Sequence, residues 1–198
     1  MPVQKASRND IVVQALKLFR SRGYHKTTMA ELGEACGLLK GSIYHYFSSK
    51  EALMMEVLSF LRSYYQENVF AIAYQDDKTP LQRLKELGKH SQEIFIRGEG
   101  ACLMGNIAME TIEVVPEFHP VLKGFFDDWV QALTHIFSSC YSPKAATFFA
   151  RESVCAIEGA AMMMRIYKDP DFVKKAHEMI LKKFESATKE ALIQQAET

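Results

Sequence analysis

The chain has 198 residues, of which 48% are hydrophobic and 24% charged, and its 24 basic and 24 acidic residues give no net charge. This length and composition allow a sizeable buried core in one or two domains. No apolar run approaches the roughly 18 residues that cross a bilayer, and residues 1–10 lack a signal-peptide core, so we expect a soluble, cytoplasmic protein with no membrane partner.

Charge is distributed unevenly along the chain. Residues 1–50 carry eight basic and three acidic side chains, a net charge of +5, which leaves −5 on residues 51–198. A basic head on an acidic body is typical of a protein that holds DNA at one end. Ordinary scatter of surface charge is the alternative interpretation.

The first predicted helix covers residues 8–22. Its apolar residues recur at helical spacing and would form one wall of a small three-helix core, with Gly23 as the C-cap. A second helix begins after Thr28, which is followed by Glu31 in a capping-box pattern. Gly37 would supply the left-handed backbone of a tight turn. The stretch therefore resembles a helix-turn-helix.

The third helix is predicted over about residues 39–46. Ile43 and Phe47 fall on its inner side, which leaves polar, aromatic and basic groups pointing outward. These are Lys40, Ser42, Tyr44, His45 and Tyr46. Their donors suit phosphate oxygens and base edges in a major groove wide enough for one helix.

Residues 10–53 resemble the amino-terminal domain of the TetR-family transcriptional regulators. The matching positions are Thr28, Gly37, Lys40, Gly41, Tyr44, Phe47, Lys50 and Leu53. The resemblance implies a homodimeric, all-helical repressor that releases operator DNA when a small molecule enters the carboxy-terminal domain. Gly33, Cys36 and Leu39 depart from the family pattern, and Leu39 cannot cap a helix or bind phosphate as the usual serine does.

The resemblance and the side-chain chemistry together predict DNA contacts. We expect Thr28, Tyr44 and Lys50 to hold phosphates. Lys40, Ser42 and His45 are placed near base edges, and Gly41 permits close approach of the backbone.

A long helix is predicted from Ser49 to about Tyr74, and it would be the covalent link between head and body. We therefore predict a DNA-binding domain at residues 1–50 and an effector-binding and dimerisation domain at residues 51–198. Five more helices are predicted in the second domain, at about 80–97, 101–114, 117–139, 143–167 and 170–194. With no period-two strand pattern, the predicted fold is all-α.

The last two long helices are predicted to form a four-helix bundle across a two-fold axis. Small residues would let another helix approach closely: Ala145, Ala146, Ala150, Ala156, Gly159 and Ala160. The alternative is that these helices only complete the core of the monomer. A two-fold dimer implies a palindromic operator.

In residues 100–113 a thiol, an amide and carboxylates recur at helical spacing and would share one side of a helix. Sub-groups of the family are similar at this place, and the resemblance implies that this helix borders the effector cavity. The predicted ligand contacts are Tyr64, Phe95, Cys102, Asn106, Met109, Glu110, Trp129 and Met162, around an apolar or electrophilic effector. A core role for these residues stays open. Cys102 is either a reactive thiol or a buried small hydrophobe.

The six histidines and four cysteines show no metal-binding spacing, so we expect no metal and no cofactor. The sequence predicts a ligand-responsive repressor and not an enzyme, since it contains no nucleophile motif or phosphate loop. Two rivals are an enzyme using Cys102 with a histidine, and a DNA-binding activator or architectural protein without effector control.

Overall fold

The computed structural model describes residues 6–39, 41–97 and 102–196, without the side chains of residues 194–196. Within these ranges the chain forms helices and no strand, so the all-α prediction is confirmed. The α-helices are α1 (Arg8–Arg22), α2 (Met29–Ala35), α3 (Lys50–Asn68), α4 (Pro80–Arg97), α5 (Leu103–Thr111), α6 (His119–Phe137), α7 (Pro143–Tyr167) and α8 (Asp171–Ala196). Short 3-10 helices lie at Ser42–His45, Phe70–Tyr74 and Pro116–Phe118.

The chain divides into two compact units. We call Met1–Ser63 with Leu103–Lys123 the head unit, and Tyr64–Cys102 with Gly124–Thr198 the body unit. The chain therefore passes between the units three times, and the helix that begins near residue 50 is not the single covalent link that the sequence predicted. The segment that contains α5 belongs to the head unit, although the sequence indicated a place in the effector domain.

The head unit is built on α1, α2 and the start of α3. Capping boxes open α1 at Ser7 and α2 at Thr28, where the Thr28 side chain accepts from the Glu31 backbone and the Glu31 side chain accepts from the Thr28 backbone. The capping box predicted at Thr28 is confirmed. Apolar side chains of these three helices and of the segment between α2 and α3 fill the core below these caps: Ile11, Val12, Ala15, Phe19, Leu32, Ile43, Phe47, Leu53 and Met54.

Two predicted helices are shorter than expected. The long helix ends at Asn68 and not near Tyr74. Asn68 Nδ2 donates to the Tyr64 carbonyl at 2.9 Å, a side-chain bond that competes with helix continuation at this point. Between residues 101 and 114, where one helix was predicted, α5 covers only Leu103–Thr111.

The core of the body unit is aromatic. Tyr65, Phe70, Phe125 and Trp129 pack with ring centroids 5.0 to 6.2 Å apart, and Phe95 lies 6.3 Å from Trp129. Around them α8 packs against both α4 and α7. In the described part of the chain, no helix combines the length and the apolar composition needed to cross a bilayer.

Candidate nucleic-acid interface and interior cavity

The turn after α2 is made by two glycines in left-handed backbone. Gly37 has φ +65°, as predicted, and Gly41 has φ +91°. A left-handed residue cannot continue an α-helix, so the third helix of the motif is shorter than the predicted residues 39–46. Its described part is a single 3-10 turn at Ser42–His45, with Gly41 as its N-cap.

The short 3-10 helix buries one side and exposes the other. Ile43 and Phe47 are buried, as predicted, whereas Tyr44 is 55% exposed and His45 is exposed. Thr28 and Gly41 are also exposed and Ser42 is half-buried. Lys40 lies outside the described residues. The surface offers hydroxyl, phenol and imidazole groups to a partner.

Leu39 is a surface residue that sequence reasoning set aside. It is 82% exposed beside the 3-10 helix. A large apolar side chain that is exposed next to polar groups is informative, because such side chains are usually buried. The unusual leucine in place of a serine was the available signal.

The Lys50 side chain is engaged inside the head unit. Its Nζ donates to the Tyr24 carbonyl at 3.0 Å and the Thr27 carbonyl at 3.1 Å, and lies 4.3 Å from the Tyr24 ring centroid. An ammonium has three N–H donors, so these bonds occupy two of them. Lys50 thus ties the start of α3 to the turn between α1 and α2.

Tyr24 is the centre of this turn. Its hydroxyl donates to Glu51 Oε1 at 2.7 Å, and its ring meets Phe118 edge-on with centroids 5.7 Å apart. Burial, followed by the bond to Glu51, raises the pKa of Tyr24 far above its usual value. The same bond is the main cause that lowers the pKa of Glu51. The pair therefore stays a phenol donating to a carboxylate at neutral pH.

Glu110 of α5 holds the same turn from another side. Its Oε2 accepts from the backbone N–H of Tyr24 at 2.8 Å and of His25 at 3.3 Å. The Glu110 carbonyl lies 3.0 Å from His25 Nε2. At Gly23, which has φ +82°, a Cβ would come within 2.8 Å of the Glu110 carboxylate. Glycine is therefore needed for this close approach.

The eight predicted ligand residues fall in both units. Asn106, Met109 and Glu110 belong to the head unit, where Met109 is 88% exposed and Glu110 binds the turn. The other five belong to the body unit: Phe95, Cys102 and Trp129 are buried, and Tyr64 and Met162 are exposed. The predicted single helical side from residue 102 to residue 113 is wrong, because Cys102 precedes α5 and Glu113 follows it.

Cys102 is a buried thiol, only 6% exposed. It hydrogen-bonds to the carboxyl group of Glu158, whose pKa is raised mainly by burial. A reactive cysteine needs exposure and a lowered pKa. The burial favours the interpretation of Cys102 as a small hydrophobe over that of a sensing thiol.

Cavities in the described part of the body unit include two that α8 borders. One, of about 230 Å³, is bordered by α7 and α8 and includes Phe149 and Lys183; the other, of about 210 Å³, lies between α4 and α8 and includes Gly88 and His177. None of the eight predicted ligand residues lines either cavity. Gly88 was a missed signal, because glycine in the middle of a predicted amphipathic helix is unfavourable without a packing reason.

In the ranges that the structure describes, no group of three or more histidine, cysteine, aspartate or glutamate side chains is arranged so that it could hold a metal ion.

Two family models match the chain. Residues 11–57 match the amino-terminal model of the bacterial regulatory proteins of the tetR family, and residues 75–179 match the carboxy-terminal domain of LmrA/YxaF-like transcriptional regulators. The second match alone covers more than half of the chain.

Individual relatives are similar over different extents. The repressor KstR2 of Mycolicibacterium smegmatis is 45% identical over 58 residues, which are 29% of this chain and only 28% of that protein. The repressor DhaR of Mycobacterium sp. strain GP1 is 24% identical over 194 residues, covering 93% of this chain and 97% of DhaR.

Solved structures share the fold. A TetR transcriptional regulator from Legionella pneumophila superposes with a TM-score of 0.83 at 19% identity, over 92% of this chain and 99% of that one. A regulatory protein TetR from Rhodobacter sphaeroides gives a TM-score of 0.78 at 20% identity, over 90% and 98% of the two chains. The helix-turn-helix geometry, both family models and the shared fold lead to one conclusion: the chain belongs to the TetR family of transcriptional regulators.

Proposed function

We propose that this protein is a transcriptional repressor that binds a palindromic DNA operator as a homodimer and is released by a small-molecule effector. The observation that carries the proposal is the 3-10 helix Ser42–His45, which exposes Tyr44 and His45 above the buried Ile43. The relatives KstR2 and DhaR are named as transcriptional repressors. Because operator DNA is the proposed partner, we also propose a cytoplasmic location.

The exposed surface suggests a role for each DNA contact. Tyr44 presents a hydroxyl group suited to phosphates, and Ser42 and His45 suit base edges, with Gly41 leaving room for close approach. The Thr28 hydroxyl donates to Glu31 Oε2 at 2.8 Å, so the phosphate contact proposed for Thr28 would replace this bond. Lys40 lies outside the described residues, and its contact near the base edges stays a prediction from the sequence. Leu39 offers an apolar surface that fits a thymine methyl group.

Lys50 receives a different role from the predicted phosphate contact. Two carbonyl bonds hold its ammonium at the turn between α1 and α2. We propose that Lys50 acts on DNA indirectly, by fixing the α1–α2 turn to the start of α3.

An apolar stripe on α7 supports the proposed dimer. Phe148, Met162 and Ile166 are each more than half exposed and recur at intervals that return to one side of the helix. Exposed Gly159 lies on the same stripe, and a Cβ there would meet nothing within 4 Å. Ala146 and Ala150 are instead buried within the monomer. A dimer with two-fold symmetry would bind two half-sites about 34–36 Å apart, which fits a palindromic operator.

The proposed effector control requires that ligand binding and DNA binding weaken each other by the same factor. The body unit is the proposed location of the effector, because its described residues line the cavities of about 230 and 210 Å³ and include several buried polar atoms without partners. A regulator without effector control is the remaining alternative, and DNA affinity unchanged across a broad panel of compounds would favour it.

Selection of bound duplexes from random DNA tests the proposed function. We expect a palindromic site that binds two chains per duplex, measured by sedimentation. His45→Ala should weaken the selected site by about tenfold or more, the loss of one good base contact. The matched control His119→Ala changes another exposed histidine of the head unit and should leave affinity unchanged. One chain per duplex, or equal effects of both substitutions, would contradict the proposal.

A further inference from the structure

The cavity of about 210 Å³ between α4 and α8 is small and aliphatic. Its apolar lining comes from six aliphatic side chains: Leu84, Leu87, Leu133, Ile157, Ile180 and Leu181. Pockets for drug-sized ligands usually measure about 300–1,000 Å³. The volume therefore suits a compact ligand, and the lining suits a saturated hydrocarbon body.

His177 supplies a polar group with a defined hydrogen-bonding role. The residue is 4% exposed and lines the cavity, and its Nδ1 lies 2.9 Å from the Val173 carbonyl. A carbonyl only accepts, so Nδ1 must carry the proton and donate. Burial lowers the pKa of His177, which keeps the ring neutral. Nε2 is then a bare acceptor.

That acceptor has no partner of its own. In the part of the chain that the structure describes, His177 Nε2 is buried without a hydrogen bond. Most buried polar groups in proteins are paired, so an exception requires an explanation. A ligand group that donates a hydrogen bond would supply the missing partner.

Gly88 makes room for the imidazole ring that carries this atom. A Cβ at Gly88 would lie 3.1 Å from His177 Cδ2, the ring atom bonded to Nε2. One turn later on the same helix, the Ser91 hydroxyl is also buried and without a partner among the described residues. The Cδ2 side of the imidazole therefore packs against α4 at Gly88, and the same helix carries a second buried polar atom without a partner among the described residues.

We propose that this cavity binds a small, uncharged alicyclic or aliphatic alcohol, whose hydroxyl donates to His177 Nε2 and whose hydrocarbon part contacts the leucine and isoleucine side chains. The inference rests on the proposed effector control, because it names the chemical class of the effector.

The unprotonated Nε2 disfavours a carboxylate, the nearest rival class, as its hydrogen-bonding partner. A carboxylate would bring its lone pairs against the lone pair of Nε2, which is repulsive while the ring is neutral. Lys85 and Lys89 also line the cavity, and Lys85 Nζ pairs with Glu185 at 3.4 Å. An anion held by Lys89 would leave Nε2 unpaired, so an anionic probe is included in the test.

The test measures binding of three probes to the full chain without DNA, by isothermal titration calorimetry. The probes are cyclohexylmethanol, its methyl ether, which has no O–H donor, and cyclohexanecarboxylate. We expect the alcohol to bind about five- to tenfold more tightly than the ether, the worth of one neutral hydrogen bond, and the carboxylate to bind most weakly.

Variants test whether the preference for the alcohol over the ether depends on His177. His177→Leu should bind alcohol and ether alike, whereas His177→Gln, which retains an acceptor, should keep part of the preference. Gly88→Ala should weaken both neutral probes, because its Cβ crowds the ring. His90→Leu, an exposed histidine on α4, is the matched control and should behave as wild type. Circular dichroism checks that each variant is folded, and the glutamine and alanine variants decide the matter if His177→Leu does not fold.

Several outcomes would overturn the inference: equal affinity for alcohol and ether, tightest binding of the carboxylate, or an alcohol preference that survives in His177→Leu. Release of operator DNA is measured separately. Alcohol binding without DNA release would support the cavity assignment and remove effector control by this class. DNA release by other compounds, without alcohol preference, would remove the cavity assignment and leave the proposed function standing.

Discussion

Polar groups are hydrogen-bonded at the turn around Tyr24, whereas several described polar atoms in the interior of the body unit are buried without a partner. At the turn, Lys50, Glu51 and Glu110 pair with the Tyr24 hydroxyl and with backbone groups around it. Among the described residues, seven buried side-chain polar atoms lack a partner, and six of them belong to the body unit. These are atoms of Gln75, Ser91, Trp129, Thr134, Glu158 and His177.

This difference has a physical meaning for each unit. Paired polar groups fix one arrangement of a turn, which suits a surface that must match DNA. An unpaired buried polar atom costs about 1–3 kcal/mol, which a partner that completes the bond can offset. Under the proposed function, the head unit is organised before it binds DNA, and a ligand that pairs with these atoms would stabilise the body unit.

The largest expected effect is that of removing the Glu110 carboxylate charge. Glu110→Gln weakens two charge-assisted bonds to backbone N–H groups, and we expect the free energy of unfolding to fall by about 1.5–3 kcal/mol. Urea denaturation followed by circular dichroism measures it. Glu113→Gln, at an exposed position just beyond α5, is the control and should change little. Equal stability of the two variants would show that the turn does not depend on this carboxylate.

Lys50→Ala should have the next largest effect, about 1–2 kcal/mol, because it leaves two backbone carbonyls without a charged donor. Operator affinity should fall for all sequences alike as the turn loosens. The salt dependence of binding distinguishes this role from a phosphate contact, whose loss would reduce the log–log slope by about 0.9. We expect the slope to stay near the wild-type value, and Lys17→Ala, at an exposed position on α1, to preserve stability.

Local sequence signals predicted the parts of the head unit that depend on neighbouring residues. Thr28 and Glu31 lie three residues apart, so their capping box could be read directly. Gly37 and the buried Ile43 and Phe47 follow equally from turn chemistry and helical spacing.

Local sequence patterns could not predict the contacts that hold the α1–α2 turn in place. Glu110 and Tyr24 are 86 positions apart, and no local pattern links them. The sequence predicted that Glu110 contacts an effector, whereas in the folded chain its carboxylate binds the backbone of the α1–α2 turn in the head unit. The cavity at His177 was missed for the same reason, since only the packing of α8 on α4 brings its ring to Gly88.

A smaller effect should appear as a pH dependence of stability in the body unit. Burial lowers the pKa of His177, so the unfolded chain takes up this proton more readily than the folded chain. Above the unfolded value of about 6.5 the residue has no effect on stability. As the pH falls below that value, stability is lost until the folded pKa is reached, by at most about 1.4 kcal/mol per pH unit. Lys85 and Lys89 line the same cavity and also oppose protonation.

Urea denaturation at pH 7.5 and pH 5.5 measures this loss. His177→Gln should lack the part of the pH dependence that belongs to the imidazole, and the exposed His90→Gln should retain it. Identical pH dependence in wild type and His177→Gln would contradict the assignment.

The smallest expected effect tests the contrast between paired and unpaired groups most directly. It concerns the sign of the change in the free energy of unfolding when a buried serine is replaced by alanine. Ser91 and Ser153 are both buried in helices of the body unit, but only Ser153 Oγ has a partner, donating to the Phe149 carbonyl at 2.8 Å. Replacement by alanine gives each helix a similar gain in propensity. Ser91→Ala removes an unpaired hydroxyl and should raise the free energy of unfolding by about 0.5 kcal/mol, whereas Ser153→Ala also loses a bond and should be neutral or destabilising. Urea denaturation of both variants decides it, since a loss of stability in Ser91→Ala would mean that its hydroxyl is paired in solution.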